Sequence, residues 1–183
     1  MRTNLIQTRA KATIYAEVLL EATKASDNIF AVAGEFDELV ATVRGSLELR
    51  KVLIDKTIPV EAKKGLVLEL FDGSAPELLA VFNVMVERED LPILPRVREL
   101  YVTKAEDALN ASFVDVTTVI PLDDDLRQQI VTKYSAQMGR GILLREHIDP
   151  SLVGGIILSS HGNRIDASVS SQLESARHVL SKP

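Results

Sequence analysis

The spacing of apolar residues changes near residue 110, and no other feature of the chain restricts its fold so strongly. Before this point, apolar residues recur at every third or fourth position in short segments, which is typical of amphipathic helices. After it, β-branched and alternating segments predominate, which is typical of strands. The sequence therefore predicts an α+β fold, with an N-terminal six-helix bundle over residues 1–108 and a small β-α-β-β-β-α domain over residues 112–183.

Two of the predicted N-terminal helices carry wide apolar surfaces. The first, expected over residues 5–24, has one apolar strip that includes Ile14 and Val18 and a second strip beside it. The fifth, expected over residues 75–87, is also strongly apolar. A groove between two such helices is a common receptor for an amphipathic partner helix. Complete burial inside the bundle explains the pattern equally well, so both interpretations stay open. The second strip of the first helix consists of Ala12, Tyr15, Ala16 and Leu19.

Near the C-terminus, the sequence predicts a β-hairpin and then a last helix. Residues 156–158 are apolar and partly β-branched, as in a buried strand, and a turn sequence follows them. Gly154 and Gly155 precede this strand and lack a Cβ atom, so another backbone can pass close to them or the strand can bulge. Asp166 or Ser168 is expected to cap the last helix.

Composition and charge exclude several classes of function. The chain has 21 Lys and Arg against 26 Asp and Glu, a formal net charge of −5. Because neither part of the chain has an excess of basic residues, a nucleic-acid module is disfavoured. The absence of cysteine excludes disulfides and thiolate metal sites. With no signal-like N-terminus and no apolar run approaching the ~20 residues of a membrane span, a soluble cytosolic protein is expected.

The candidates for catalytic or metal chemistry are weak. Three aspartates, residues 123–125, can bind a divalent metal, but acidic residues are ordinary in the first turn of a helix. The three histidines share no metal-binding spacing. His161 with Asp166 or Glu146 supplies the main alternative, a small cytosolic hydrolase. No complete phosphate loop or serine elbow accompanies these residues, so we predict no metal and no cofactor.

A series of motifs in fixed order extends over nearly the whole chain. They are residues 15–19 (YAEVL), 58–64 (IPVEAKK), 91–95 (LPILP), 119–122 (VIPL), 149–158 (DPSLVGGIIL), 162–169 (GNRIDASV) and 172–174 (QLE). With these motifs the sequence resembles the bacterial delta subunit of F-type ATP synthase, whose mitochondrial counterpart is the oligomycin sensitivity-conferring protein. The C-terminal motifs are the specific ones. Their signature positions are Asp149, Gly154, Gly155, Gly162, Asp166, Ser168 and Leu173.

The resemblance implies a connector and not an enzyme. Such subunits join the catalytic head to the peripheral stalk and resist the torque of the rotor during proton-driven ATP synthesis. The helical domain is then expected to receive N-terminal helices of the alpha subunits, and region 153–173 to lie where the stalk b subunit is held. One copy per complex is expected at the cytoplasmic face of the cell membrane, without insertion. By motif, Tyr15, Ala16 and Val84 would line the alpha-binding groove, and spacing adds Leu19, Val81 and Met85.

Two positions depart from the family pattern. Asp90 stands where the family often has a basic residue, which weakens any expectation of a basic contact there. Ala167 stands where the family usually has glycine, so the backbone at this position is not expected to need a positive φ. Lys63 and Lys64 are interpreted as part of a solvated helix face.

Overall fold

The computed structural model of the chain describes residues 2–160 and 163–180. These ranges contain eight α-helices and one four-stranded sheet, so the predicted α+β class is confirmed. The chain divides into two compact units, Met1–Asp107 and Ala108–Pro183. Six helices precede the sheet: α1 (Arg2–Ala25), α2 (Ile29–Gly45), α3 (Leu47–Ile54), α4 (Val60–Leu70), α5 (Pro76–Glu87) and α6 (Leu94–Leu109).

The remaining elements form the second unit. They are β1 (Ala111–Thr118), α7 (Asp124–Met138), β2 (Gly141–Ile148), β3 (Gly155–Ser160), β4 (Asn163–Ser168) and α8 (Val169–Leu180). The strand order is β2-β1-β3-β4. β1 and β2 are parallel and joined by the α7 crossover, whereas β3 is antiparallel to both β1 and β4.

A buried tyrosine organises the core of the first unit. Tyr101 on α6 is fully buried, and its hydroxyl lies 3.1 Å from both Thr23 Oγ1 and the Ile29 carbonyl oxygen. Phe36 packs against its ring, with the ring centroids 6.0 Å apart. Because a buried hydroxyl is costly without a hydrogen-bond partner, these contacts fix how α6 packs against α1 and α2.

The core of the second unit lies between α7 and one face of the sheet. Asp123 accepts a hydrogen bond from the Leu126 N–H at 2.7 Å, and Gly139 ends α7 in the left-handed conformation at φ 68°, as its position predicts. The helix therefore crosses the sheet with both ends defined by local chemistry. The buried residues of this core are Val114, Val116, Leu122, Ile130, Tyr134, Ile142 and Leu158.

Several element boundaries differ from the expected ones. The two prolines within residues 91–95 predict a hinge, but Leu91–Ile93 form a 3₁₀ turn that runs directly into α6. Proline is compatible with a hinge and also with the first turn of a helix, because the first N–H groups of a helix lack intrahelical partners. The β-branched run predicts the first strand over residues 113–120, but β1 covers residues 111–118, because its register is set by parallel pairing of Ala111 with Gly141.

The expectation of a solvated face at the two lysines of α4 is wrong for one of them. Lys63 is buried, and its charge lies close enough to Asp55 to lower the pKa of that carboxyl, after the larger effect of hydrogen bonds from Thr57. Lys64 is half-buried and pairs with Glu61 and Glu87. A long lysine stem can cover apolar surface while its ammonium stays near charged groups, so amino-acid type alone misplaces such a residue.

Candidate partner-binding surfaces

The N-terminal half of α1 is tied to the end of α5 by a polar cluster around Asp90. The Tyr15 hydroxyl donates to Asp90 Oδ2 at 2.9 Å, and Lys11 Nζ lies 2.7 Å from Asp90 Oδ1. Burial, and then the hydrogen bond to Asp90 and its negative charge, raise the pKa of Tyr15 to about 12, while Arg88 acts in the opposite direction. Tyr15 therefore faces both Arg88 and Asp90, and the tyrosine side of α1 adjoins α5.

Three apolar side chains remain exposed on these two helices. On α1, Ile14 and Val18 are 59% and 54% exposed, and Val18 lies one helical turn from Tyr15. On α5, Val84 is 39% exposed and lies one turn before Arg88. Because Tyr15 and Arg88 meet, Val18 and Val84 border the same junction of the two packed helices. We call Ile14, Val18 and Val84 the α1/α5 surface.

Most of the residues expected to line an open groove lie in the core instead. Of the six, only Val84 is exposed, so the expectation that a partner contacts all of them needs correction. The physical reason is the choice of strip on α1: the strip with Tyr15 turns toward α5 and the core, and the strip with Ile14 and Val18 turns outward. Both strips are visible in the sequence, but only packing decides between them. The buried residues are Tyr15, Ala16, Leu19, Val81 and Met85.

In the second unit, the polar signature residues form turns and a helix cap. The Ser151 N–H donates to Asp149 Oδ1 at 2.9 Å, and the Ser168 N–H donates to Asp166 Oδ1 at 3.0 Å. Ser168 Oγ accepts from the Ser171 N–H at 3.2 Å, which makes Ser168 the N-cap of α8. Hydrogen bonds from these serines lower the pKa values of both aspartates. The side chains at these positions therefore hold two backbone turns and the start of α8 in place.

The two signature glycines lie beside the point where β4 ends and α8 begins. The Val169 N–H donates to the Gly154 carbonyl oxygen at 3.0 Å. Gly155 has a φ of 87°, and a Cβ atom there would lie 2.7 Å from Ser168 Cα and closer still to the Ala167 carbonyl oxygen. The predicted close passage of another backbone is therefore confirmed at Gly155, and Ala167 is not among the residues of positive φ. Leu173, the last signature residue, is exposed on α8.

The residues of the alternative hydrolase are engaged in structural contacts. Glu146 accepts from Arg127 Nε at 2.8 Å, and this hydrogen bond lowers the pKa of the Glu146 carboxyl. Asp166 is held by Ser168, as described above. His161, with the neighbouring signature residue Gly162, lies outside the described residues. Within residues 2–160 and 163–180, no three potential ligands gather into a metal site, and Asp123 serves as a helix cap.

Comparison with known proteins identifies a family that this chain matches. The family model described as ATP synthase delta (OSCP) subunit matches residues 12–180, which is most of the chain. The chain belongs to the ATP synthase delta (OSCP) subunit family. Among curated relatives, the ATP synthase subunit delta of Prochlorococcus marinus is 30% identical over 172 residues, covering 93% of this chain and 96% of the relative. That of Microcystis aeruginosa is 27% identical over 162 residues, covering 87% and 89%.

A solved structure that contains a chain matching this one is the cryo-EM structure of the Toxoplasma gondii mitochondrial ATP synthase hexamer. The match is 19% identical with a TM-score of 0.49 and covers 94% of this chain and 98% of that chain. The family assignment rests on the family model and on the curated relatives. As a delta-family subunit, the chain is a non-catalytic part of the stator of an F-type ATP synthase, and the hydrolase alternative is not supported. No helix in the described part of the chain has the length and hydropathy of a transmembrane span.

Proposed function

We propose that this subunit links the catalytic head to the peripheral stalk through two separate surfaces, one on each unit. In this proposal the six N-terminal helices act as one bundle that binds N-terminal helices of the alpha subunits. The β-α-β-β-β-α unit binds the b subunit. One copy of the chain then holds head and stalk together against rotor torque at the cytoplasmic face of the membrane, without entering the bilayer.

The α1/α5 surface is the observation that carries the first half of the proposal. Ile14, Val18 and Val84 expose apolar area on two adjoining helices whose inner faces are already filled. Apolar side chains grouped at a helix junction are typical of sites that receive the apolar face of an amphipathic helix. The buried residues beneath them, including Leu19 and Met85, supply a rigid base and do not need to move.

Binding of an alpha-subunit N-terminal peptide to the purified chain tests this half directly. We expect saturable 1:1 binding in a calorimetric titration. Replacing Val18 or Val84 by glutamate places a charge in the desolvated contact, so each variant should weaken binding by ~30-fold or more. Glutamate keeps a good helix propensity, and the unchanged helical circular dichroism of each variant would exclude unfolding as the cause.

Leu47→Glu is the matched control. Leu47 is exposed to a similar degree, but it begins α3, where an acidic residue is favourable at the helix N-terminus. Its affinity for the peptide should stay within about twofold of the wild type, since it lies on a different helix from the proposed contact. Equal affinities for the wild type, Val18→Glu and Val84→Glu would contradict the proposed site, and a peptide that never saturates would contradict alpha binding itself.

A further inference from the structure

All four strands of the second unit have one terminus at the same end of the sheet. β1 and β2 are parallel, with Thr118 opposite Ile148, so both finish there. β3 starts at this end, with Ile156 opposite Thr118, and β4 finishes there, with Ser168 opposite Gly155. Residues that follow β1 and β2, precede β3 and follow β4 are consequently gathered at one end of the unit, although they are far apart in sequence.

Exposed apolar side chains are concentrated at this end. Ile120, after β1, is 71% exposed, and Val153, before β3, is 76% exposed. These are the highest exposures among the large apolar residues that the structure describes. Apolar groups gathered in this way on a protein surface mark a site of interaction more often than scattered ones do. Together with three further exposed residues they form what we call the apolar cap: Ile120, Leu126, Ile148, Val153 and Val169.

Hydrogen bonds between the connecting segments hold the cap in place. The Asp149 N–H donates to the Thr118 carbonyl oxygen at 2.8 Å, which joins the segment after β2 to the end of β1. The Thr118 hydroxyl donates to the Ile120 carbonyl oxygen at 2.7 Å. The Val169 N–H bonds to the Gly154 carbonyl oxygen, as noted above. The cap is therefore a preformed surface, and a partner would not have to pay for ordering it.

The border of the cap is acidic. Residues 123–125 open α7 at this end, and Asp149 follows β2. Nearby, Arg127 is already paired with Asp124 and Glu146. An apolar centre with a negatively charged rim favours a partner that presents apolar side chains flanked by Lys or Arg.

We infer that the apolar cap is the docking surface for a basic amphipathic segment of the stalk b subunit, with its apolar side chains on the cap and its basic residues against the aspartates. The inference rests on the proposed function, since that names the b subunit as the partner of this unit. It adds the position of the contact, which lies at the ends of the strands, and the chemistry that the b segment must carry.

The test is a titration of the full chain with the soluble part of the b subunit that is encoded with it. We expect the double variant Ile120→Glu/Val153→Glu to weaken b binding by ~100-fold or more, because two charges enter the desolvated centre of the contact. Asp125→Asn should lower the association rate several-fold and reduce its dependence on salt. The matched control is Ile165→Glu, since Ile165 is also exposed but lies opposite Leu158, away from this end of the sheet.

Each outcome of this titration has a defined meaning. Selective loss in the double variant, with binding of the alpha peptide unchanged, supports the cap. If the double variant binds b as the wild type does, the cap is not the contact, while the proposed function stands. If the wild type itself does not bind b, the stalk half of the proposed function fails and the inference fails with it. A dimer of the wild type that the double variant abolishes would instead make the cap a contact between copies and overturn the inference.

Discussion

Gly155→Ala is expected to destabilise the second unit by about 3 kcal/mol or more. A non-glycine residue at a φ of 87° is strained, and its Cβ would meet the backbone of Ala167 and Ser168 and not a side chain that can move aside. Relief of the clash requires β3 to separate from the start of α8, where the Val169 N–H bonds to the Gly154 carbonyl oxygen. Hydrogen exchange resolved by segment measures the loss, because protection should fall in β3 and β4 while the first unit is unchanged.

Gly141→Ala serves as the control for this variant. Gly141 lies in the same sheet without a positive φ, and an added Cβ would lie 3.4 Å from both Ala111 Cβ and the Asn110 carbonyl oxygen, an ordinary van der Waals distance. The expected change is within about 1 kcal/mol. A Gly155→Ala chain with wild-type protection in β3 and β4 would show that the close passage of the two backbones does not constrain this position.

The first unit is expected to lose stability steeply between pH 10 and pH 12. Burial is the leading cause that raises the pKa of both Tyr15 and Tyr101 to about 12 from an ordinary value of 10.0. The folded state therefore keeps both phenol protons to a higher pH than the unfolded state does. The stabilisation is complete below pH 10 and is lost as the pH rises through about 12, by about 3 kcal/mol for each tyrosine.

Urea unfolding at a series of pH values, followed by circular dichroism at 222 nm, measures this decline. The double variant Tyr15→Phe/Tyr101→Phe should be less stable than the wild type at pH 8, because it lacks the hydrogen bonds to Asp90 and to Thr23 or Ile29. Its stability should nevertheless change less from pH 10 to pH 12, since the groups that titrate are absent. Parallel curves for the two proteins would show that the tyrosines are not the cause.

Much of the fold is predictable from sequence because local chemistry defines it. The sequence predicts a short helix over residues 47–54, and α3 has these bounds, with Ser46 accepting from the Leu49 N–H at its start. Gly139 ends α7 and Ser168 caps α8 as their residue types indicate. In each case a short-range hydrogen bond or a conformation that few residue types tolerate settles the outcome, and a single sequence contains that information.

The candidate surfaces are harder to predict because they depend on residues distant in sequence. Which strip of α1 faces outward is decided by the contact of Tyr15 with Asp90, 75 residues away. The two strips are similar in apolar character, so spacing could not rank them. The apolar cap is likewise invisible as a pattern, since Ile120 and Val153 come together only through strand register. The burial of Lys63 belongs to the same class of long-range effects.

The most direct test of the connector is whether one molecule of the chain binds both partners at once. The soluble part of the b subunit is immobilised, the chain is captured on it, and the alpha N-terminal peptide is then added while binding is followed by interferometry. We expect the captured chain to bind the peptide with the affinity of the free chain. Val18→Glu should abolish only binding of the peptide, and Ile120→Glu/Val153→Glu should abolish only capture on the b subunit. Captured chain that no longer binds the peptide, or peptide that displaces the chain from b, would contradict the proposed connector role.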